Sequence, residues 1–166
     1  MVRKLLAVTL ALLLAAAPAD AATQKRAIAR GKDGQILTAS ASRNLNPNGQ
    51  WVTVTGDHYN ETVGIYVTYC IVVPKGELPT PCGAGIDVTG KTHTSIWVSS
   101  NPPFFAKPVV TPYGVGGTFK VRVRINKMAG DFDCTKVKCA ITTRSDHLNT
   151  DNRTNDVFIP ITFATK

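Results

Sequence analysis

Seven short runs of strand-like composition, separated by clusters of glycine, proline and asparagine, most constrain what this chain can fold into. The runs are rich in β-branched and aromatic residues, and no window of about twelve residues keeps the apolar spacing of an amphipathic helix. They cover residues 36–42, 51–56, 64–73, 94–99, 118–126, 138–144 and 156–163. Many short strands joined by turns are typical of antiparallel sandwiches and barrels, so the sequence predicts an all-β domain.

The run at 118–126 alternates most regularly. Its odd-numbered positions from 119 to 125 are apolar and predict one buried face. Its even-numbered positions place three cations on the opposite face: Lys120, Arg122 and Arg124. Such a basic column either binds polyanions or protects an outer strand from edge-to-edge pairing, and the sequence leaves both interpretations open.

The run at 64–73 is largely apolar on both faces, so we expect both faces to be covered. One face carries Ile65 and every second residue after it. The other face carries Tyr66, Thr68, Cys70 and Val72. This second face either lines a ligand pocket or lies beneath a long loop.

The N-terminal 21 residues have the organisation of a signal peptide. Basic Arg3 and Lys4 precede an apolar run at 5–17, and small residues precede a cleavage point after Ala21. The apolar run is shorter than the ~20 residues that span a bilayer, which favours cleavage over a retained anchor. We therefore expect a secreted or envelope-associated protein in an oxidising compartment, with no membrane span.

The region that follows the signal peptide is rich in basic residues and poor in apolar ones. We expect residues 22–35 to form a flexible basic arm and residues 36–166 to form the folded domain. The whole chain has a formal net charge of +8, which favours anionic partners.

The segment at 99–117 is long, rich in proline and carries three aromatic residues. Phe104 and Phe105 are adjacent, and Tyr113 follows them. Loops of this length without regular structure are usually functional or disordered, and exposing two phenylalanines is unfavourable by a few kcal/mol. The pair either plugs the open end of the sandwich or forms the wall of a binding surface.

Several motifs that resemble catalytic or metal-binding signatures lack the context that such chemistry needs. Residues 85–92 fit the pattern of a phosphate-binding loop, but a β-rich run follows where a helix should begin. Ser145, Asp146 and His147 are adjacent, and neighbours on an extended chain point to opposite faces. The four cysteines allow three disulfide pairings, and their spacing does not suit zinc. The sequence therefore predicts no catalytic site, no cofactor and no metal.

One segment around the last two cysteines resembles a known family. Residues 133–139, with the sequence Asp-Cys-Thr-Lys-Val-Lys-Cys, resemble the Asp-Cys-Thr-x-x-x-Cys element of the neocarzinostatin family, whose members are secreted bacterial apoproteins. The similarity continues through residues 40–56, 64–70 and 157–163. The resemblance implies an immunoglobulin-like, seven-stranded antiparallel β-sandwich. It also implies two local disulfides, Cys70–Cys82 and Cys134–Cys139.

The same resemblance implies a ligand cleft. Apoproteins of this family hold an apolar enediyne antibiotic chromophore in a cleft and catalyse nothing, and the disulfide Cys70–Cys82 would lie on the cleft floor. Two departures argue against an enediyne here and leave the scaffold unaffected: Val72 replaces a family tryptophan, and the aromatic-rich ribbon is reduced to residues 126–133. The candidate ligand-binding residues are Tyr66, Thr68, Cys70, Val72, Cys82, Phe104, Phe105, Tyr113, Met128 and Phe132.

The sequence thus predicts a secreted, monomeric, non-enzymatic module that binds an apolar small molecule. The alternative is an envelope-associated protein that binds anionic cell-wall polymers through its basic arm and through Lys120, Arg122 and Arg124. Contact with DNA follows only from the family's chromophore, since no interleaving of aromatic and basic residues along the chain supports it.

Overall fold

The computed structural model describes residues 26–87 and 89–165, so the signal peptide predicted at 1–21 lies outside the described residues. In chain order the elements are β1 (Ala27–Arg30), β2 (Ile36–Ala39), β3 (Gln50–Asp57), β4 (Ile65–Ile71), β5 (Ser95–Val98), a 3-10 helix (Phe104–Val109), β6 (Val110–Thr111), β7 (Phe119–Ile125), β8 (Met128–Ala129), β9 (Phe132–Asp133), β10 (Cys139–Ser145) and β11 (Val157–Ile161). Each of the seven predicted runs overlaps one of these strands, and β3 and β10 extend beyond their runs by one residue at one or both ends.

Two open sheets pack face to face. Strands β1, β2, β3 and β7 form a four-stranded sheet in that order, and β11, β10, β4, β5 and β6 form a five-stranded sheet. Neighbouring strands are antiparallel except β5 and β6, which are parallel. Inward residues of both sheets share one hydrophobic core. The predicted all-β sandwich is confirmed.

The alternation predicted for β7 is confirmed residue by residue. The apolar positions from Phe119 to Ile125 are buried, whereas Lys120, Arg122 and Arg124 are exposed. Strand β4 is buried on both faces, as its composition predicted. Its inward residues, among them Ile65, join the core between the sheets. Its outward residues are buried as well, and Thr68 is bonded to Thr94 and Cys70 to Cys82.

The basic arm predicted at 22–35 is wrong for the part that the structure describes. Residues 27–30 form β1, which pairs with β2 at the edge of the four-stranded sheet. Ala27 and Ala29 pack against the core, and buried Gln35 donates to the carbonyl of Thr154 at 3.1 Å. Alanine has a low strand propensity, so packing against a neighbouring strand decides this element.

Both disulfides implied by the family resemblance are present. Cys70 on β4 is bonded to Cys82 in the segment before β5, and Cys134 is bonded to Cys139 across the turn between β9 and β10. Between residues 26 and 165, leaving out residue 88, no helix has the length and apolar character needed to cross a bilayer.

Candidate functional site

A crossover connection forms one side of a cleft on the outer face of the five-stranded sheet. The chain leaves β5, forms the 3-10 helix and returns as β6, which is parallel to β5 with Trp97 opposite Val110. Parallel neighbours require such a crossover, and here the helix lies over the outer face of the five-stranded sheet. A cleft of about 530 Å³ remains between them, which is within the ordinary size range of small-molecule sites.

The floor of the cleft consists of outward residues of β4 and β5. Tyr66 and Trp97 are directly opposite in the strand register, and their ring centroids are 6.1 Å apart. Ser95 lies two residues before Trp97 on the same face and is buried. Side chains alternate along a strand, so the burial of Val98 in the core places Trp97 on this outer face.

A buried carboxylate fixes the position of Trp97. The indole Nε1–H donates to Asp146 Oδ2 at 3.0 Å, and the backbone N–H of Leu148 donates to Asp146 Oδ1 at 3.0 Å. Asp146 is only 1% exposed. A Cβ atom on Gly64 would overlap Asp146 Oδ2, so the absence of a side chain at Gly64 makes room for this carboxylate.

A second hydrogen bond fixes His147 at the end of the cleft. Tyr66 Oη lies 2.6 Å from His147 Nδ1, and the His147 ring meets Trp97 edge-on at 5.0 Å. Burial, assisted by the negative charge of Asp146, raises the pKa of Tyr66 to about 12, so the phenol keeps its proton at neutral pH. In the tautomer in which Tyr66 donates to Nδ1, His147 carries its proton on Nε2 and has one donor free.

The walls of the cleft are apolar and open to solvent. Phe105 and Val109 of the 3-10 helix form one wall, and Ile86 forms part of the other. All three are exposed, Phe105 by 73%. Contiguous exposed apolar groups beside a rigid aromatic floor are typical of binding sites.

Asp87 lies on the rim and holds the adjacent loop. Its carboxylate accepts hydrogen bonds from the backbone N–H groups of Lys91, Thr92 and His93 at 2.8–3.1 Å. Partial burial alone would raise the pKa of Asp87, but the bonds from His93 and Thr92 outweigh it and hold the pKa below its usual range. Residues 91–93 are thus held by the Asp87 carboxylate, and strand β5 rather than a helix follows them.

Of the ten ligand-binding residues predicted from the sequence, Tyr66 and Phe105 line this cleft. Tyr113 belongs to the core instead, where its hydroxyl donates to the carbonyl of Val63 at 3.2 Å. Thr68 is buried and donates to the carbonyl of Thr94 at 2.8 Å. The remaining candidates lie outside the lining: Cys70, Cys82, Val72, Phe104, Met128 and Phe132.

The two phenylalanines do not plug the sandwich. Phe104 is 83% exposed and Phe105 is 73% exposed, and their rings meet edge-to-face with centroids 5.7 Å apart. Only Phe105 lines the cleft. The plugging interpretation is therefore wrong, since neither ring enters the core.

Trp97, Val109 and Ile86 were not predicted from the sequence as site residues. His147 was considered only together with Ser145 and Asp146, as part of a motif that resembles a catalytic signature. The structure does not arrange these three residues as a catalytic triad. The hydroxyl of buried Ser145 lies 3.3 Å from Asn155 Nδ2. Asp146 accepts a hydrogen bond from the indole of Trp97, and His147 is bonded to the phenol of Tyr66. In the run at 94–99, Ser95 and Trp97 alternate with the apolar residues Ile96 and Val98. This alternation was the available signal for an outward-facing tryptophan.

A larger depression of about 690 Å³ lies near the Cys134–Cys139 disulfide. Its lining includes Lys127 and Lys138, and Phe163 is the one aromatic residue among the lining residues, whereas the cleft at Trp97 has a floor of paired aromatic rings. We therefore regard the cleft at Trp97 as the better candidate. In the described part of the chain, no group of three or more His, Cys, Asp or Glu residues is arranged to hold a metal ion.

Comparisons with known proteins agree with the sandwich. No protein-family model matches the chain, and no curated protein sequence matches it. The solved structure of macromomycin, a member of the neocarzinostatin family, superimposes with a TM-score of 0.52 at 20% sequence identity. The match covers 79% of this chain and 100% of macromomycin. At this identity the similarity establishes a shared fold.

Proposed function

We propose that this protein is a secreted, non-enzymatic module that holds an apolar small molecule in the cleft at Trp97. The observation that carries the proposal is the arrangement of that cleft: an aromatic floor locked by hydrogen bonds, facing exposed apolar walls. A preorganised floor loses little conformational entropy when a ligand binds, so more of the contact energy appears as affinity.

Apolar burial supplies the main driving force of such binding. A ligand that covers about 200 Å² of the exposed surface of Phe105, Val109, Ile86 and the floor gains about 5 kcal/mol at 25 cal/mol per Å². The ligand's own apolar surface contributes a similar term, so micromolar affinity, about 8 kcal/mol, lies within reach after the entropy cost of association. His147 offers a polar contact that orients the ligand.

The polar groups of the cleft support binding rather than catalysis. His147 is bonded to Tyr66, and the oxygens of Asp87 are occupied by backbone donors. Ser95, the candidate nucleophile in the lining, therefore has neither His147 nor Asp87 as a bonded base. Apoproteins of the neocarzinostatin family, which this sequence resembles, also bind a small molecule without transforming it.

Secretion is supported by two features. The chain begins with the signal-peptide pattern at 1–21, and all four cysteines are paired in disulfides. Disulfides persist in oxidising compartments outside the cytoplasm. Edman sequencing of the exported protein should begin at Ala22, and an N-terminus at Met1 would contradict this part of the proposal.

The two tryptophans make the cleft directly testable. Trp51 lies on the other sheet, so Trp51→Phe leaves Trp97 as a reporter inside the cleft. Titration of this variant with Nile red, a neutral apolar dye, should give saturable dye fluorescence and quench Trp97. Absence of saturation would refute the proposed function.

Phe105→Ala and Phe104→Ala form a matched pair. The residues are neighbours, both highly exposed, and only Phe105 lines the cleft. Removing the Phe105 ring should weaken dye binding about 5- to 30-fold, which corresponds to about 1–2 kcal/mol of lost apolar contact. Phe104→Ala should leave the affinity unchanged. Equal losses in both variants would show that the dye binds the exposed rings and not the cleft.

A further inference from the structure

The outer face of the four-stranded sheet carries a second cluster of functional groups, separate from the cleft at Trp97. The exposed cations of β7 align across the sheet with outward residues of β3: Lys120 with Thr55, Arg122 with Thr53, and Arg124 with Trp51. Successive outward residues on a strand are about 6.7 Å apart, so the three cations form a straight column about 13 Å long. We call these three residues the β7 column.

The β7 column has no acidic partner among the described residues. The ion pairs in that part of the chain join Lys32 with Asp33, Asp57 with His58, Lys127 with Asp133, and Arg153 with Asp156. Like charges so close together on one strand repel each other. An anionic ligand relieves this repulsion.

An aromatic group lies beside the cations, and only the tertiary structure brings it there. Trp51 remains 42% exposed on the outer face. The Arg122 guanidinium lies over its ring at 4.8 Å, and His93 packs against it with centroids 5.2 Å apart. The cation–π contact holds the guanidinium in place, so less side-chain entropy is lost when an anion binds there.

A loop from the other sheet completes a shallow concavity. Arg124 N–H donates to the His93 carbonyl at 2.8 Å, and Asp87 accepts from His93 N–H at 2.8 Å, so the loop is anchored on both sides. The concavity has a volume of about 360 Å³, and Trp51, His93 and Thr111 line it together with Lys120 and Arg122. The indole, hydroxyl and cationic groups therefore face one open concavity.

We propose that this face binds an acidic polysaccharide, with uronate-type carboxylates on the β7 column and a sugar ring against Trp51. The cations match carboxylates repeated along a chain, and the half-buried hydroxyls of Thr53 and Thr55 match sugar hydroxyls. A glycerol-phosphate polymer has no ring for the indole. A single-stranded nucleic acid needs successive stacking platforms, whereas one tryptophan lies beside this column.

Binding to polygalacturonate should be measured by affinity electrophoresis and by Trp51 emission in a Trp97→Phe background. We expect saturable binding that weakens steeply with salt, and no retention by neutral dextran. Poly-L-glutamate, which carries carboxylates without sugars, should bind at least about tenfold more weakly, because it offers no ring to Trp51. Equal binding of poly-L-glutamate, or stronger binding of oligothymidylate, would overturn the proposal.

Two triple variants separate a site from overall charge. Replacing Lys120, Arg122 and Arg124 by Gln should lower polygalacturonate affinity at least about tenfold. Replacing the exposed Lys75, Lys107 and Lys136 by Gln removes the same charge elsewhere and should change affinity less than about twofold. Similar losses in both triples would show attraction to net charge alone and would refute the site.

Trp51→Ala keeps every cation and tests the sugar contact. It should abolish the preference for polygalacturonate over poly-L-glutamate, and a retained preference would contradict the role of the indole. All replaced side chains are exposed, so circular dichroism and Nile red binding at the Trp97 cleft should remain at wild-type values. The two sites can thus fail independently, since Lys120, Arg122, Arg124 and Trp51 do not line the cleft at Trp97, and Phe104 and Phe105 do not line the concavity at Trp51.

Discussion

The contact of the Asp146 carboxylate with Gly64 and with the indole of Trp97, which we call the lock, provides the most direct test of how this fold positions its cleft. Gly64→Ala introduces one methyl group that would overlap Asp146 Oδ2 and approach Trp97 Nε1 to 3.1 Å. The backbone at Gly64 is not in the left-handed region, so alanine adds no backbone strain. The effect therefore comes from the displaced carboxylate.

The cost of displacing Asp146 follows from its bonds. The carboxylate is 1% exposed and accepts from Trp97 Nε1–H and from the backbone N–H of Leu148, both at 3.0 Å. A hydrogen bond to a charged group contributes about 1.5–3 kcal/mol, and a buried charge left unsatisfied costs more. We expect Gly64→Ala to lower the free energy of unfolding by about 3 kcal/mol.

Urea unfolding and Trp97 emission in the Trp51→Phe background measure the two consequences. Stability should fall, and the emission should change because the indole loses its hydrogen bond. A double-mutant cycle with Trp97→Phe isolates the indole bond: Gly64→Ala should cost at least about 1 kcal/mol less when Trp97 is absent. A cost below about 1 kcal/mol in the wild-type background, or a cycle that closes to zero, would refute the lock.

Three further predictions concern the protonation of Asp156 and the attachment of β1 to the sheet. Burial raises the pKa of Asp156 from 3.8 to about 6 despite Arg153 at 3.0 Å, because one carboxylate oxygen has no partner. The native state then binds more protons than the unfolded state, so the free energy of unfolding should fall as pH rises from 4 to 6, by about 1–2 kcal/mol after a discount for solvent screening of this partly exposed group. Chemical denaturation should show that this pH-dependent loss is absent in Asp156→Asn. A wild-type free energy of unfolding that rises relative to that of Asp156→Asn between pH 4 and 6 would contradict the prediction. Gln35→Ala should lower the free energy of unfolding, measured by thermal unfolding, by about 1–2 kcal/mol, because it removes the hydrogen bond that holds the turn between β1 and β2 to Thr154. An unchanged free energy of unfolding would show that this bond is dispensable. Backbone amides of β1 that pair with β2 should be protected in hydrogen exchange, and exchange at unfolded rates would restore the flexible-arm interpretation.

The strands were readable from the sequence because their signal is local. An alternation such as that of β7 depends on one face of one strand meeting the core, and each residue carries that information by its own polarity. β1 was missed because alanine and isoleucine in a basic segment have a weak pattern. Pairing with β2, packing of Ala27 and Ala29 against the core and the Gln35 contact stabilise it, and none of these is visible in the local sequence.

The candidate site was only half readable. Tyr66 and Phe105 were named because each belongs to an unusual stretch of sequence, a strand apolar on both faces and a pair of phenylalanines. Trp97 and His147 were missed because their role depends on partners 31 and more positions away along the chain, which the strand register brings opposite one another. Tyr113 was misplaced because an aromatic residue in a loop can point inward or outward, and a hydrogen bond to Val63 decides.

By itself, the sequence determined an all-β chain with an alternating basic strand and a signal-peptide pattern, since polarity and strand propensity act over a few residues. Only the tertiary structure decided that a parallel crossover forms one wall of the cleft at Trp97, and that Trp51 lies beside Arg122 on the other sheet. Both arrangements join residues distant in sequence, and their formation depends on which strands pair and how the chain crosses between them. Contacts of that kind are a property of the packed sandwich, so no local pattern encodes them.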